Sequence, residues 1–114
     1  MNRDDASLLD IARAARLVQD FCRGMTKSQF LNDLKTQSAV LHQLLILGEA
    51  VKRLSANFRK QHTTIPWRLI AGMRDKLIHG YDSIDLNEVW KTASQDMLNL
   101  LNQIDPLLPQ KPDE

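Results

Sequence analysis

The sequence predicts an all-α fold, in which four main helices form a bundle and one short extra helix is added. Ala, Leu, Gln, Lys and Arg, which favour helices, are frequent, whereas aromatic residues make up only 5% of the chain. Apolar residues recur at helical spacing along most of the sequence, and no segment carries a convincing strand signal. A length of 114 residues with 43% apolar residues suits a single compact domain.

The first helix is predicted over 4–23. Asp4 and Asp5 precede its apolar residues, and acidic side chains are favourable at the positive end of the helix dipole. Arg23 and Gly24 together are typical of a helix end, because a cation suits the last turn and glycine accepts the conformation that follows it.

A short second helix is predicted over 27–34, and a long third helix over 36–56. Thr26 or Ser28 can cap the start of the second helix with its hydroxyl oxygen. The third helix has the densest apolar pattern and is nearly apolar all round from 44 to 47. This pattern predicts the central and most buried helix of the bundle.

A polar connection is predicted over 57–66, followed by a fourth helix that ends at Gly80. Thr64 and Pro66 suit the start of that helix, since proline is tolerated in the first turn. Trp67 and the apolar residues after it give the helix one apolar side.

The fifth helix is predicted to begin at Asp85 and to run to Ile104. Glu88 follows Asp85 at the spacing of a capping box. The prolines beyond Ile104 predict a non-helical and flexible tail over 106–114. We therefore expect one helical domain over 1–105.

Composition also excludes several classes of protein. The polar N-terminus does not resemble a signal peptide, and no apolar run approaches the roughly 20 residues that span a membrane. The single Cys22 excludes an intramolecular disulfide and a multi-cysteine zinc site. We expect a cytoplasmic protein without membrane contact.

Charge is unevenly distributed along the chain, although the net charge is only +1. Residues 51–80 contain seven Lys or Arg and one Asp, a net charge of +6, whereas residues 82–114 have a net charge of −5. The basic middle third can attract a polyanion such as a nucleic acid. A solvated basic helix face explains the same distribution, and charge alone leaves both interpretations open.

The segment "GMRDKLIHGYD" at 72–82 contains candidate catalytic residues. Arg74 can bind a phosphate, and His79 can transfer a proton near neutral pH. RNA has its own nucleophile, the 2′-hydroxyl, so that a base and a cation suffice for cleavage without metal. On a straight helix the two side chains diverge by about 140°, although Gly80 is expected to let the last turn unwind. The spacing alone fits an ordinary helix end equally well.

Glu49, Asp75, Lys76 and Gly80 are candidates for supporting roles. Glu49 is the only acid between 34 and 74 and lies in an apolar helix, where we expect a buried carboxylate to need a partner. Arg53 or Arg74 can supply it, in a structural ion pair or in an arrangement that orients Arg74. Gly48 is expected to allow close helix packing, and Lys76 to steer RNA or simply to be solvated.

The surrounding residues resemble the HepT family of HEPN-domain ribonuclease toxins. The resemblance extends from about 4 to 104 and includes "SQFLNDLKTQSAVLHQL" at 28–44, "LLILGEAVKRLS" at 44–55 and "IPWRLIAGMRDKLIHGYDSIDLNEVW" at 65–90. Arg74, His79 and Tyr81 match all three positions of the R-x4-H-x-Y motif of the family. Asp75 matches the polar residue that often follows the arginine.

The resemblance implies a HEPN four-helix bundle that forms a homodimer and brings two motifs to one cleft. Arg74 and His79 would cleave RNA without metal or cofactor. The protein would be a toxin whose partner, a MntA-type minimal nucleotidyltransferase, neutralises it by transferring AMP from ATP to Tyr81. Without the resemblance, Tyr81 would be read as a half-buried aromatic side chain packed on the last helix. The alternative function is a non-catalytic HEPN module that accompanies a nucleotidyltransferase and binds nucleotide or partners.

Overall fold

A computed structural model describes residues 2–109, and this part of the chain contains helices and turns but no strand. The predicted all-α class is confirmed. The helices are α1 (Arg3–Cys22), α2 (Lys27–Leu31), α3 (Leu34–Arg53), α4 (Ala56–Gln61), α5 (Trp67–His79), α6 (Leu86–Lys91) and α7 (Met97–Ile104). No helix in the described range is both long enough and apolar enough to cross a membrane.

The bundle is built around α3, which packs against α1 on one side and α5 on the other, while α7 packs against α1. Its fully buried core includes Ile11 of α1, Leu44 and Val51 of α3, and Ile104 of α7. The central position predicted for the third helix is confirmed. Burial of its apolar run is incomplete, however, because the side chains at 45 and 46 remain partly exposed.

The start of α1 is tied to the start of α4 through Asp4. The side chain of Asn2, rather than an aspartate, caps α1 and accepts a hydrogen bond from the backbone of Asp5 at 2.7 Å. Asp4 accepts two hydrogen bonds from Ser55, one from the backbone N–H and one from Oγ, both at 2.8 Å. These hydrogen bonds stabilise the charged form of the carboxylate.

The hydrogen bonds from Ser55 hold the pKa of Asp4 below its ordinary value of 3.8. The charged carboxylate therefore adds stability above pH 3.8, and this contribution is lost as pH falls through the lower pKa of the folded state. We expect Asp4→Asn to lower the melting temperature at pH 7, with a difference from wild type that shrinks below pH 4. Circular dichroism melts from pH 7 to pH 3 measure this. Asp20→Asn, which removes only an exposed pair with Arg23, should change the melting temperature much less.

The expectation of a polar connection over 57–66 was wrong in its first half, where α4 forms. Ser55 caps this helix, since its Oγ accepts a hydrogen bond from the backbone of Phe58 at 3.1 Å. The ring of Phe58 lies 6.2 Å from that of Trp67, measured between centroids. Packing against α5 thus stabilises a six-residue helix that its polar sequence did not indicate.

A wide turn over Thr92–Asp96 joins α6 to α7 in one continuous helical segment. This turn has the i→i+5 hydrogen bonding of a π-helix. Buried residues on either side of it are separated by two steps of four residues, from Val89 to Ala93 and from Ala93 to Met97. On a regular α-helix these two steps would turn the apolar face by about 80°. The wide turn rotates less per residue, and it keeps both halves of the helix on the core.

Packing continues past Ile104. Asp105–Leu107 forms a 3₁₀ turn, and Leu107 and Leu108 lie partly buried against the core. The part of the predicted tail over 110–114 lies outside the described residues.

Candidate active site

Helix α5 carries the candidate catalytic residues and is anchored by its apolar side. Trp67, Ile70 and Leu77 are buried. The indole Nε1 of Trp67 donates a hydrogen bond to the backbone carbonyl of His62 at 3.0 Å, which fixes the start of the helix.

Helices α3 and α5 come close together at Gly48 and Arg74. A Cβ atom added to Gly48 would overlap the Cβ of Arg74 and would lie 2.9 Å from its Cγ. Only glycine leaves room for this contact. The prediction that Gly48 permits close packing is confirmed, and its consequence is that the backbone of α3 determines where Arg74 lies.

Two carboxylates flank the guanidinium of Arg74. Its NH1 donates a hydrogen bond to Oδ1 of Asp75 at 3.0 Å, and its NH2 lies 3.6 Å from Oε1 of Glu49. The side chain of Arg74 is 22% exposed, so that part of the cation remains accessible to solvent. An oriented, partly exposed guanidinium of this kind can bind a phosphate oxygen.

The partner of Glu49 is Arg74 rather than Arg53, which pairs instead with Asp10 at 3.2 Å. The expectation that Glu49 is a buried carboxylate was wrong, because its side chain is 46% exposed. Because Glu49 is partly exposed to solvent and lies 3.6 Å from the guanidinium, its ion pair with Arg74 is loose. An anion that binds Arg74 more strongly can take the place of Glu49.

Asp75 also accepts a hydrogen bond from Nζ of Lys52 at 3.1 Å. The hydrogen bond from Arg74, followed by that from Lys52, holds the pKa of Asp75 below its ordinary value. Asp75 is therefore negatively charged at neutral pH. The cations of Arg74 and Lys52 are balanced by the carboxylates of Glu49 and Asp75. Lys52 was not among the site residues predicted from the sequence. Its position one turn after Gly48, where α3 meets α5, is the signal that could have indicated it.

His79 is the last residue of α5 and is exposed. The expectation that Gly80 unwinds the last turn was wrong, because the N–H of Gly80 still donates to the carbonyl of Lys76 at 2.8 Å. The helix is regular through both Arg74 and His79, and their divergence of about 140° persists within one chain.

Tyr81 follows α5 in a 3₁₀ turn over Tyr81–Ser83. Oγ of Ser83 donates a hydrogen bond to the carbonyl of Gly80 at 2.9 Å and closes the turn. Tyr81 is 58% exposed, and the interpretation of a half-buried aromatic residue was wrong. Because the helix ends at His79, Tyr81 does not continue the face that carries Arg74.

A groove of about 1200 Å³ separates α5 from α6 and α7; we call it the α5–α7 groove. It has an apolar floor, a basic rim of Arg68 and Lys76 on α5, and an acidic rim on the facing side. No ion pair within residues 2–109 includes either basic residue. The sequence did not predict this groove. Leu69, an apolar residue on the polar side of α5, is the signal that could have indicated it. The acidic rim contains Asp85, Glu88 and Asp96 together with one cation, Lys91.

Comparison with known proteins shows that this chain is similar to proteins named as ribonucleases. The profile of the family described as "Ribonuclease HepT-like" matches residues 11–107. A probable ribonuclease HepT of Thermococcus cleftensis is 44% identical over 100 residues, which are 88% of this chain and 91% of that protein. No solved structure matches the chain significantly.

Two further relatives have similar names. A putative RNase of Methanocaldococcus jannaschii is 37% identical over 103 residues, covering 90% of this chain and 85% of that protein. A putative RNase of Caldanaerobacter subterraneus subsp. tengcongensis is 37% identical over 89 residues, covering 78% of this chain and 80% of that protein.

Proposed function

The chain belongs to the HepT-like ribonuclease family, and on that premise we propose that it is the toxin of a toxin–antitoxin pair, a metal-independent endoribonuclease. Its all-α bundle is of the HEPN type. The observation that carries the proposal is Arg74, held between Glu49 and Asp75 with its guanidinium partly exposed, on the same helix as an exposed histidine. We further propose that the enzyme acts in the cytoplasm, where RNA is abundant.

In the proposed reaction, neutral His79 removes the proton from a ribose 2′-hydroxyl. The 2′-oxygen attacks the adjacent phosphorus while Arg74 stabilises the added negative charge on the phosphoryl oxygens. The bond from phosphorus to the 5′-oxygen breaks, and that oxygen takes up a proton. The products are a 2′,3′-cyclic phosphate and a free 5′-hydroxyl.

The proposed enzyme is a homodimer in which each active site combines Arg74 of one chain with His79 of the other. We call such a site a composite site. Arg74 and His79 diverge on a helix that stays regular, so that one chain does not direct both side chains toward the same phosphate. A second chain can supply the missing group from its own α5. Composite sites therefore reconcile the proposed chemistry with the geometry of a single chain.

Cleavage of RNA in the presence of EDTA tests the proposed activity. We expect the wild type to cleave under these conditions and His79→Ala to be slower by about 10²–10⁴-fold, the usual contribution of a general base. His42→Ala is the matched control, because His42 is also exposed but lies on α3 outside the candidate site. Absence of cleavage by the wild type would favour the non-catalytic binding module instead.

The proposed regulation is AMP transfer to Tyr81 by a MntA-type nucleotidyltransferase partner. The exposed phenol, in a turn directly after α5, supports this proposal. An added AMP would bring negative charge and bulk to the motif segment and would oppose binding of an RNA phosphate.

After incubation with such a partner and ATP, we expect mass spectrometry to find one AMP on the peptide that contains Tyr81, together with loss of RNA cleavage. Tyr81→Phe should remain unmodified and active in the same mixture. Modification of Tyr81→Phe to the same extent would show that the partner uses another residue.

A further inference from the structure

Lys52 of α3 is a cation of the candidate site that has no part in the proposed reaction. Its Nζ donates a hydrogen bond to Oδ1 of Asp75 at 3.1 Å, and its side chain is 44% exposed. An ammonium group has three N–H donors, and within residues 2–109 no second side chain pairs with this one. Lys52 can therefore bind a further anion without releasing Asp75.

The same carboxylate oxygen holds Lys52 beside Arg74. NH1 of Arg74 donates a hydrogen bond to Oδ1 of Asp75 at 3.0 Å, so that Nζ and NH1 lie within about 6 Å of each other. Two cations at this distance repel each other and would otherwise separate into solvent. Asp75 offsets the repulsion and keeps both cations at one edge of the site.

The contact between Arg74 and Asp75 is unusual for consecutive residues of a helix. Side chains at i and i+1 point about 100° apart and do not face each other. Two contacts with α3 bring these two together: Gly48 lets α5 approach at Arg74, and Lys52, one turn further on, attracts the carboxylate of Asp75. The packing of α3 against α5 therefore sets the separation of the two cations.

We propose that Lys52 binds the RNA phosphate next to the one that is cleaved, while Arg74 binds the scissile phosphate. Phosphates of one strand follow each other about every 3.4 Å along a helix axis and are further apart through space, so that two neighbours can reach two cations at this separation. The inference rests on the proposed function and specifies its substrate, a strand with consecutive phosphates. Both cations lie on one chain, and the contact forms whichever chain supplies His79.

The charges of the site suit two phosphates once Glu49 has moved. Glu49 lies 3.6 Å from Arg74 and is 46% exposed, so that it can turn to solvent when RNA binds. Arg74 and Lys52 then outweigh Asp75, and the net charge of the three is positive. A lysine contact with phosphate carries no base information, and we expect Lys52 to add affinity without sequence preference.

Binding of an RNA strand that cannot be cleaved tests the contact directly. The probe is a short fluorescent oligonucleotide in which every 2′-hydroxyl is methylated, and anisotropy measures its affinity at several salt concentrations. We expect Lys52→Met to bind about 10-fold more weakly at low salt. The slope of log K against log salt should fall by about 0.7, the value for one phosphate contact with a single strand.

Two variants are the controls for binding, and circular dichroism confirms that each is folded. Lys52→Arg retains the cation and should retain the salt slope of the wild type. Lys35→Met removes another exposed lysine of α3, about 25 Å away along the helix axis, and should bind as the wild type does. An unchanged slope for folded Lys52→Met would overturn the phosphate contact.

Cleavage of a strand with one reactive position identifies the phosphate that Lys52 binds. A 2′-O-methyl strand with a single free 2′-hydroxyl is cleaved only there under the proposed chemistry. An uncharged methylphosphonate then replaces the phosphate on the 5′ side or the 3′ side of the scissile one. At one of these positions we expect the replacement to slow the wild type about 10-fold and to have no further effect on Lys52→Met. Additive effects at both positions would contradict the contact.

The remaining outcomes separate this inference from the proposed function. Wild-type cleavage that neither Lys52→Met nor either methylphosphonate slows would overturn the Lys52 contact and leave the nuclease proposal intact. Salt-dependent binding through Lys52 by a wild type that does not cleave RNA would support the phosphate contact and overturn the nuclease. A lower melting temperature of Lys52→Met with unchanged affinity and cleavage would show that Lys52 only ties α3 to α5, and would overturn the inference.

Discussion

A heterodimer of Arg74→Ala and His79→Ala chains should recover about half of the wild-type RNA cleavage, although each variant alone is nearly inactive. In composite sites, the intact arginine of one chain meets the intact histidine of the other, which leaves one of two sites functional. Co-expression with two different tags and purification through both tags yields the heterodimer. Initial cleavage rates in EDTA measure the recovery.

The reciprocal pairing is the control for this result. A heterodimer of one wild-type chain with one chain that carries both substitutions should be nearly inactive, since each composite site then lacks one group. If Arg74 and His79 act within a single chain, the two results are exchanged: the first heterodimer is inactive, and the second retains half of the activity.

Gly48→Ala should lower both stability and RNA cleavage. The added methyl meets the Cβ of Arg74, which cannot move aside as the end of a flexible side chain would. Helix α5 must shift, at a cost of about 1–3 kcal/mol. A displacement of about 1 Å at a catalytic group can reduce the rate about 100-fold. Urea denaturation and cleavage rates under conditions where the variant is folded measure the two effects.

Gly72→Ala is the matched control for stability. Gly72 lies on the same helix as Arg74, and a Cβ added there meets nothing within 4 Å. Its free energy of unfolding should rise by as much as about 1 kcal/mol, since alanine favours helix over glycine. Equal stabilisation by Gly48→Ala would contradict the close contact between α3 and α5.

Local signals predicted the main helices well. The first helix was predicted over 4–23 and is observed over Arg3–Cys22, and its glycine stop is confirmed by a φ of 76° at Gly24. The fourth helix ends before Gly80 as predicted. Caps and glycine stops act over a few residues, and a sequence therefore contains most of the information that places them.

Features that depend on tertiary contacts were not predicted. Helix α4 requires Phe58 to pack against Trp67, and neither residue alone indicates this contact. The exposure of Glu49 depends on how α5 lies across α3, which periodicity does not specify. The candidate site residues were identified by their motif, whereas their divergence on one helix and the α5–α7 groove required the arrangement of the helices.

The wide turn over Thr92–Asp96 has a consequence for how this protein tolerates insertions and deletions. Loss of one residue there would leave seven residue steps from Val89 to Met97, which turn a regular α-helix by about 700°, within about 20° of two full turns. Leu100 and Ile104 would therefore still face the interior. One further residue, by contrast, would turn the final part of the helix by about 100° unless the wide turn widened again. The segment thus accepts shortening by one residue more readily than lengthening.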